Sequence, residues 1–496
     1  MHRVRKSGIL LHPTSLPGPG GIGSLGCEAH QFIDFLHAAG QSLWQVLPLG
    51  YTSYGNSPYM CYSAFAGNPL LIDLERLVAE GDLKAHDPRD DFSTGRVDYQ
   101  RVMECKQDAL RSAAATFFSG GKNARIEDFW RFCDTTPWLH DFALFMALKE
   151  QYPGLAWCDW PEAVARRDPA ALASASADLG PRIGEHKYQQ WQFFRQWHRL
   201  REYAARQGVG IFGDIPIFVS YDSVDVWANR HLFLLDNTGR PTVVAGVPPD
   251  YFSKTGQLWG NPLYNWNVMA QDGYAWWLDR VRASLDLYDL IRIDHFRGFT
   301  ACWEVPYGEK TAINGRWQPG PGEALFSALA ATLGELPIIA EDLGVITPDV
   351  EALRDTFSFP GMKILQFAFG SGPDNPYLPH NHVRRSVIYT GTHDNDTTLG
   401  WFSSLSAREK KQVLLYLDRS ADSIVWDLIR TALASVADTC ILPLQDLLEL
   451  PGDSRMNLPG VAGGNWSWRF GQEELTAKLA KRLLGLTETY GRIHKR

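Results

Sequence analysis

Four acids stand where apolar runs of the sequence turn polar: Asp214 in FGDIP, Asp294 in IRIDHF, Glu341 in IIAEDLG and Asp394 in TGTHDND. In IRIDHFRG, residues 291–298, strand alternation puts Arg292 and Asp294 on one face and Ile291 and Ile293 on the other. Several carboxylates around one cavity suit either a hard metal ion or acid/base and nucleophilic attack at a sugar carbon. Arg292 separates these chemistries, because a guanidinium repels a cation but favours the ionised acid that a carboxylate nucleophile requires. The residues before Glu341, Pro337 to Ala340, are apolar, which favours a protonated carboxyl and suits a proton donor. Two such unequal carboxyls about 5 to 5.5 Å apart make a retaining glycosidase site. Asp394 is then the third acid, stabilising positive charge at the anomeric carbon, with an Asx cap of the THDND turn as its alternative reading.

Acids so far apart in the chain meet only if the elements carrying them converge. Ala29, Phe32, Ile33, Leu36 and Ala39 form a helical stripe ahead of a strand at 43–49. Phe193, Trp197, Leu200 and Ala204 precede a strand at 209–219, and Tyr274, Trp277, Leu278, Val281 and Leu285 precede the strand entering IRIDHFRG. Leu325, Leu329 and Leu333 lead to 336–344, and Thr347 with Pro348 opens a helix leading to 362–369. Strands at 386–394 and 439–447, with NPLLIDL at 68–74, complete eight, and a last amphipathic helix carries Leu475, Leu479, Leu483 and Leu486. Helices alternating with eight nearly all-apolar strands predict an α/β fold, a closed (β/α)8 TIM barrel whose C-terminal strand ends gather the four acids. An open α/β sheet is the other arrangement of such units. Two long connections interrupt the alternation. We expect 76–200 to be a mostly helical inserted subdomain and 220–272 to be loop over the barrel mouth without further elements, within one catalytic barrel spanning 1–496.

The 496 residues are 45% hydrophobic and 21% charged, with net charge −8 and no Lys/Arg run interleaved with aromatics, which points away from nucleic acid or membrane partners. The seven cysteines are scattered without a CxxC pair, so neither a disulfide framework nor a zinc site is indicated and the compartment reads as reducing. The apolar run after the basic N-terminus is too short for a signal peptide, so we expect a cytoplasmic protein, and a monomer. GPGGIG and GIGSLG, 18–26, satisfy GxGxxG but lack the preceding strand and following acid of a dinucleotide site. Among 18 Trp and 18 Tyr, several fall in loops, notably Tyr51, Tyr54, Tyr59, Trp259, Tyr264 and Trp266, where flat rings match sugar faces. His295 and His393 beside the acids read either as hydrogen-bond partners of sugar hydroxyls or as structural histidines.

The motifs SGILLHPTSLPG, YGNSPY, GDIPIFV, AGVPPDYFSKTGQLWGNPLYNW, IRIDHFRG, AEDLG, LQFAF, YTGTHDNDT and SRMNLPGVAGGNWSWR run nearly end to end. With them the chain resembles the 4-α-glucanotransferases, the amylomaltase or disproportionating-enzyme family of the α-amylase superfamily. The resemblance implies Asp294 as nucleophile, Glu341 as general acid/base and Asp394 as transition-state stabiliser. It further implies a substrate cleft formed by Ser57, Tyr59, Asp214, Trp259, Arg292, His295, His393 and Asn465, covered by a loop at 245–266. It implies α-1,4-glucans, maltooligosaccharides and glucose as substrates, and neither metal nor organic cofactor. GSGPDN, 370–375, follows the family pattern less closely and receives no role. The residues alone yield a retaining glycosidase, and the preference for transfer over water rests on the family motifs. A hydrolase on the same barrel and a non-catalytic glucan-binding protein are the rival readings.

Overall fold

Strands and helices alternate along the chain in a computed structural model that describes residues 5–84, 92, 95–121, 124–249, 253–461 and 463–493. The central strands are β1 (Lys6–Leu10), β2 (Leu43–Gln45), β3 (Gly210–Pro216), β4 (Leu290–Asp294), β5 (Ile338–Ala340), β6 (Gly361–Ile364), β7 (Ser386–Tyr389) and β8 (Thr439–Pro443). All eight are parallel, in the order β6-β7-β8-β1-β2-β3-β4-β5. The Ala340 N–H donates to Pro360 O at 2.9 Å, which brings β5 against β6 and closes the (β/α)8 barrel.

The helices form where the apolar stripes lie. Cys27–Ala38 buries Ala29, Phe32, Ile33 and Leu36 and ends ahead of Gly40, whose φ of +70° only glycine adopts freely. Ala275–Leu287 buries Trp276, Trp277 and Val281 and packs on β3 and β4. Each side chain buried this completely contributes roughly 1.5–3 kcal/mol. Pro348–Thr356 starts where the Thr-Pro pair predicts, although the Thr347 side chain makes no capping bond to the backbone.

Three expectations need correction. NPLLIDL, 68–74, is a 3-10 turn at Pro69–Leu71 and not a strand, because the Asn68 side chain accepts the Leu70 N–H and Pro69 has no N–H for a ladder. The eighth strand is β1, which contains most of the apolar run after the basic N-terminus and has no helical stripe ahead of it to mark it as a barrel unit. Residues 220–272 are not plain loop: Val243–Val247 and Gln257–Pro262 are strands of a four-stranded antiparallel sheet completed by Ala301–Pro306 and Arg316–Pro319. Its pairing partners come from beyond β4, so no local pattern announces it.

Between β2 and β3 the described residues are chiefly helical, in Tyr99–Ser119, Ala124–Thr135, Leu139–Gln151, Pro169–Asp178 and Gly180–Arg206. Phe117, Phe129, Tyr188 and Trp191 pack ring on ring there. The last of these helices also supplies the Phe193, Trp197, Leu200 and Ala204 stripe against the barrel. No helix among the described residues is long and apolar enough to cross a membrane.

Candidate active site

Register sets the first half of the site. Asp214 pairs with Arg292 and Pro216 with Asp294 across β3 and β4, so the three charged side chains share the inner face. Arg292 bridges them, Nη1 lying 2.7 Å from Asp214 Oδ2 and Nη2 lying 2.8 Å from Asp294 Oδ1. Asp214 and Arg292 are buried, whereas the Asp294 side chain keeps 29% of its surface exposed, as a group meeting a substrate must. Burial opposes the Arg292 charge, but Asp214 and Asp294 outweigh it and hold that charge well above its ordinary range. Burial pushes Asp214 up to about 6, with Asp294 adding to it and Arg292 and the Tyr59 hydroxyl opposing. Tyr59 donates to Asp214 Oδ2 at 2.8 Å.

The second half lies one strand over. Ile293 pairs with Ala340, so Asp294 and Glu341, each the next residue, emerge side by side at the rim. Glu341 Oε2 accepts the N–H of His295 at 2.7 Å and Oε1 accepts that of Leu343 at 3.0 Å. His295 aims its N–H there by taking a left-handed backbone with φ of +54°, a conformation that costs a non-glycine residue about 1–2 kcal/mol. Burial pushes Glu341 up to about 8; Asp294 adds to it, while Arg292 and the His295 N–H oppose. At neutral pH Glu341 therefore carries a proton beside a carboxylate paired to an arginine. Burial pushes the His295 ring down to about 4, so it is neutral, and it meets the Trp259 ring edge-on at 4.8 Å.

Asp394 lies beyond β7 in the THDND turn. The turn is capped by Asn395, whose Oδ1 accepts the Thr392 N–H at 2.8 Å, so Asp394 is not spent as an Asx cap. Its Oδ1 accepts from Asn457 Nδ2 at 2.6 Å and its Oδ2 lies 3.3 Å from His393 Nε2. Burial would raise Asp394, but His393, Asn457 and Arg292 outweigh it and hold the carboxyl well below the usual range. Tyr59 has one proton and gives it to Asp214, so at the 3.0 Å contact with Tyr59 O the His393 Nε2 must be the donor. The two rings also stack at 5.3 Å, which joins the Asp214 and Asp394 halves through Tyr59 and His393.

Thus Tyr59, Asp214, Arg292, Asp294, His393 and Asp394 form one network, beside which Glu341 is held by the His295 N–H, with the His295 and Trp259 rings in contact at the edge. Ser57 and Asn465 stand apart from it. Ser57 Oγ accepts the Tyr59 N–H at 3.3 Å and so shapes the turn that presents the tyrosine. Asn465 closes its own loop, accepting from Leu458 N–H at 2.9 Å and donating to Val461 O at 2.8 Å. Sequence reasoning missed Asn457 and Trp466, the latter packing on Tyr59 and His393 at 5.9 Å each. Both lie in SRMNLPGVAGGNWSWR, where an amide and a tryptophan flanking a glycine-rich turn were the signal available.

Among the described residues no group of three or more His, Cys, Asp or Glu is arranged to hold a metal ion. The glycine-rich stretch after His12 runs as turns, its Gly23 N–H on Thr14 O and its Leu16 and Gly18 carbonyls held by Arg469. The arrangement combines a proton donor, an exposed arginine-paired carboxylate beside it and a third, strongly ionised acid. It can protonate a leaving oxygen, attack the carbon that oxygen leaves and stabilise the positive charge between.

The family described as 4-alpha-glucanotransferase matches residues 11–474 of this chain. The 4-alpha-glucanotransferase of Synechocystis sp. is 52% identical over 495 residues, 98% of this chain and 98% of that protein. That of Thermus thermophilus is 49% identical over 502 residues, 99% of this chain and 100% of that protein. Among solved structures, an amylomaltase from Streptococcus agalactiae in complex with acarbose matches with a TM-score of 0.95 at 41% identity, covering 99% of this chain and 100% of that one.

Proposed function

Because this chain belongs to the 4-alpha-glucanotransferase family, we propose that it transfers α-1,4-glucan segments with Asp294 as nucleophile, Glu341 as general acid/base and Asp394 as transition-state stabiliser. One observation carries the assignment: Asp294 and Glu341 leave adjacent strands side by side, one paired with Arg292 and the other partly buried and holding its proton at neutral pH. Glu341 gives its proton to the glycosidic oxygen while an Asp294 oxygen attacks C1, which releases the reducing-end fragment and leaves a covalent glucosyl-enzyme. Glu341, now a carboxylate, takes the proton of an acceptor's 4-hydroxyl as that oxygen displaces Asp294, so the anomeric configuration is retained.

Arg292 holds Asp214 and Asp294 in place, and Tyr59, His393, His295 and Trp259 contribute hydrogen bonds and ring faces to the sugar at the bond to be broken. Ser57 and Asn465 act on substrate indirectly, by shaping the loops they close. The segment 245–266 covers the cleft and favours a sugar hydroxyl over water as acceptor; residues 250–252 of it lie outside the described residues. The run of helices between β2 and β3 supports reading 76–200 as an inserted subdomain of the single barrel. Seven free cysteines support a reducing, cytoplasmic setting.

Incubation with maltotriose tests the reading. Transfer yields glucose and longer oligomers with no net gain of reducing ends, whereas steady gain of reducing ends assigns water as the acceptor. Unchanged maltotriose turnover in Asp294→Asn would refute the nucleophile.

A further inference from the structure

Arg297 ends the polar run that follows the nucleophile strand, and the chemistry above makes no use of it. Its side chain is buried, its Nη1 donates to Val345 O, and its guanidinium lies over the Trp317 ring at 4.0 Å from the centroid. Val345 follows Glu341 by four positions, in the segment whose Leu343 N–H bonds Glu341 Oε1. Asp342 anchors the start of that segment through Arg354 and the Met362 N–H, and Leu343 and Ile346 pack on the core, but Val345 itself is 63% exposed, so its position rests on the carbonyl bond to Arg297.

Trp317 belongs to the antiparallel sheet. It sits opposite Trp303, which pairs in turn with Gly246 on the neighbouring strand, and Gln257–Pro262 beyond carries Trp259. The sheet therefore meets both of the polar residues that follow Asp294, Trp259 on His295 and Trp317 on Arg297. His295 and Arg297 in turn reach the Glu341 side chain and the Val345 carbonyl. A guanidinium suits this junction because one planar group can stack on a ring and donate in its own plane, which an ammonium cannot.

We infer that Arg297 and Trp317 are a positioning pair that ties the Glu341 segment to the antiparallel sheet, so that the seating of the sheet decides how well Glu341 is shielded from water. This deepens the assignment of Glu341 above and rests on it. The charged and titratable groups around that carboxyl are Arg292 and Asp294 from β4, Asp342 beside it and Tyr377 opposite, and Arg297 itself faces Asp349. None of these changes when Trp317 is replaced, so a change in the titration of Glu341 reports its seclusion. Burial is the largest influence raising Glu341, and relieving it lowers the pH at which the proton is lost.

The test compares Trp317→Ala, Trp317→Phe and Arg297→Lys with the parent enzyme on maltotriose, recording kcat, KM, the pH profile, the gain of reducing ends and the thermal midpoint. Trp317 is 41% exposed, so its replacement is compatible with folding. For Trp317→Ala and Arg297→Lys we expect kcat to fall about 10- to 100-fold with little change in KM. The alkaline limb should move down by about half a pH unit or more, and a larger share of turnover should go to water. Trp317→Phe, which keeps a ring under the guanidinium, should restore the parent profile. An alkaline limb left in place by Trp317→Ala, or equal behaviour of the Ala and Phe variants, overturns the inference alone. A parent enzyme without an alkaline limb overturns the assignment of Glu341 and this inference with it.

Discussion

The backbone N–H of His295 donates to Oε2 of Glu341 at 2.7 Å, joining the rim of the nucleophile strand to the proton donor. Despite that bond and the nearby Arg292, burial keeps Glu341 up at about 8. The acid form does the first step, so kcat/KM on maltotriose should be high at neutral pH and fall as pH rises through about 8. A profile flat well past that point would remove Glu341 from the donor's role.

Tyr59 gives its hydroxyl proton to Asp214, whose carboxyl sits at about 6. A group raised this way loses its charge as pH falls through that value, and with it the ion pair that fixes Arg292. Activity should accordingly decline on the acid side near pH 6. Tyr59→Phe removes a bond that favours the ionised form, so the acid limb should shift upward in pH. The loss of this part-buried hydrogen bond should also lower stability by about 1 kcal/mol, seen in the denaturation midpoint. An acid limb unmoved in Tyr59→Phe would detach it from Asp214.

Arg292 reaches two carboxylates at 2.7 and 2.8 Å with different nitrogens of one planar group. Lysine has a single nitrogen and cannot span both. For Arg292→Lys we expect kcat/KM to drop about 100-fold, about 2.7 kcal/mol in the barrier, with the loss chiefly in kcat. Parent-like turnover would show that charge alone suffices.

Asn457 donates to Asp394 Oδ1 at 2.6 Å. Asn457→Ala should lower kcat about 10-fold, about 1.4 kcal/mol, by letting the third acid swing from the cleft. The pH limbs should stay where they are, because Asp394 titrates far below them. A moved acid limb would mean that Asp394, not Asp214, controls it.

Each acid is already met by a guanidinium, an amide or a backbone N–H. Chelation with EDTA should therefore leave maltotriose turnover unchanged. Activity lost on chelation and restored by calcium or magnesium would contradict this.

Much of the barrel was legible because each unit is local. A stripe at helical spacing and a short apolar run each report their own burial, so six strands of the barrel and the strand carrying Asp294 could be placed from the chain alone. The errors came where burial and conformation part company. Pro69–Leu71 is as buried as a strand but capped as a turn, and the antiparallel sheet draws its strands from both sides of β4.

The sequence by itself determined that Asp294 and Glu341 stand where strands end and that Arg292 shares a face with Asp294, since side-chain alternation depends only on neighbours in the chain. Tertiary structure decided the rest: that Asp214 lies inside β3 rather than at its end and is Arg292's second partner, that Asp394 lies beyond β7 in a turn capped by Asn395, and that Asn457 steadies it. Charge states and hydrogen-bond partners depend on which strands lie adjacent and how deeply a group is buried, and those are properties of the closed barrel rather than of any local run.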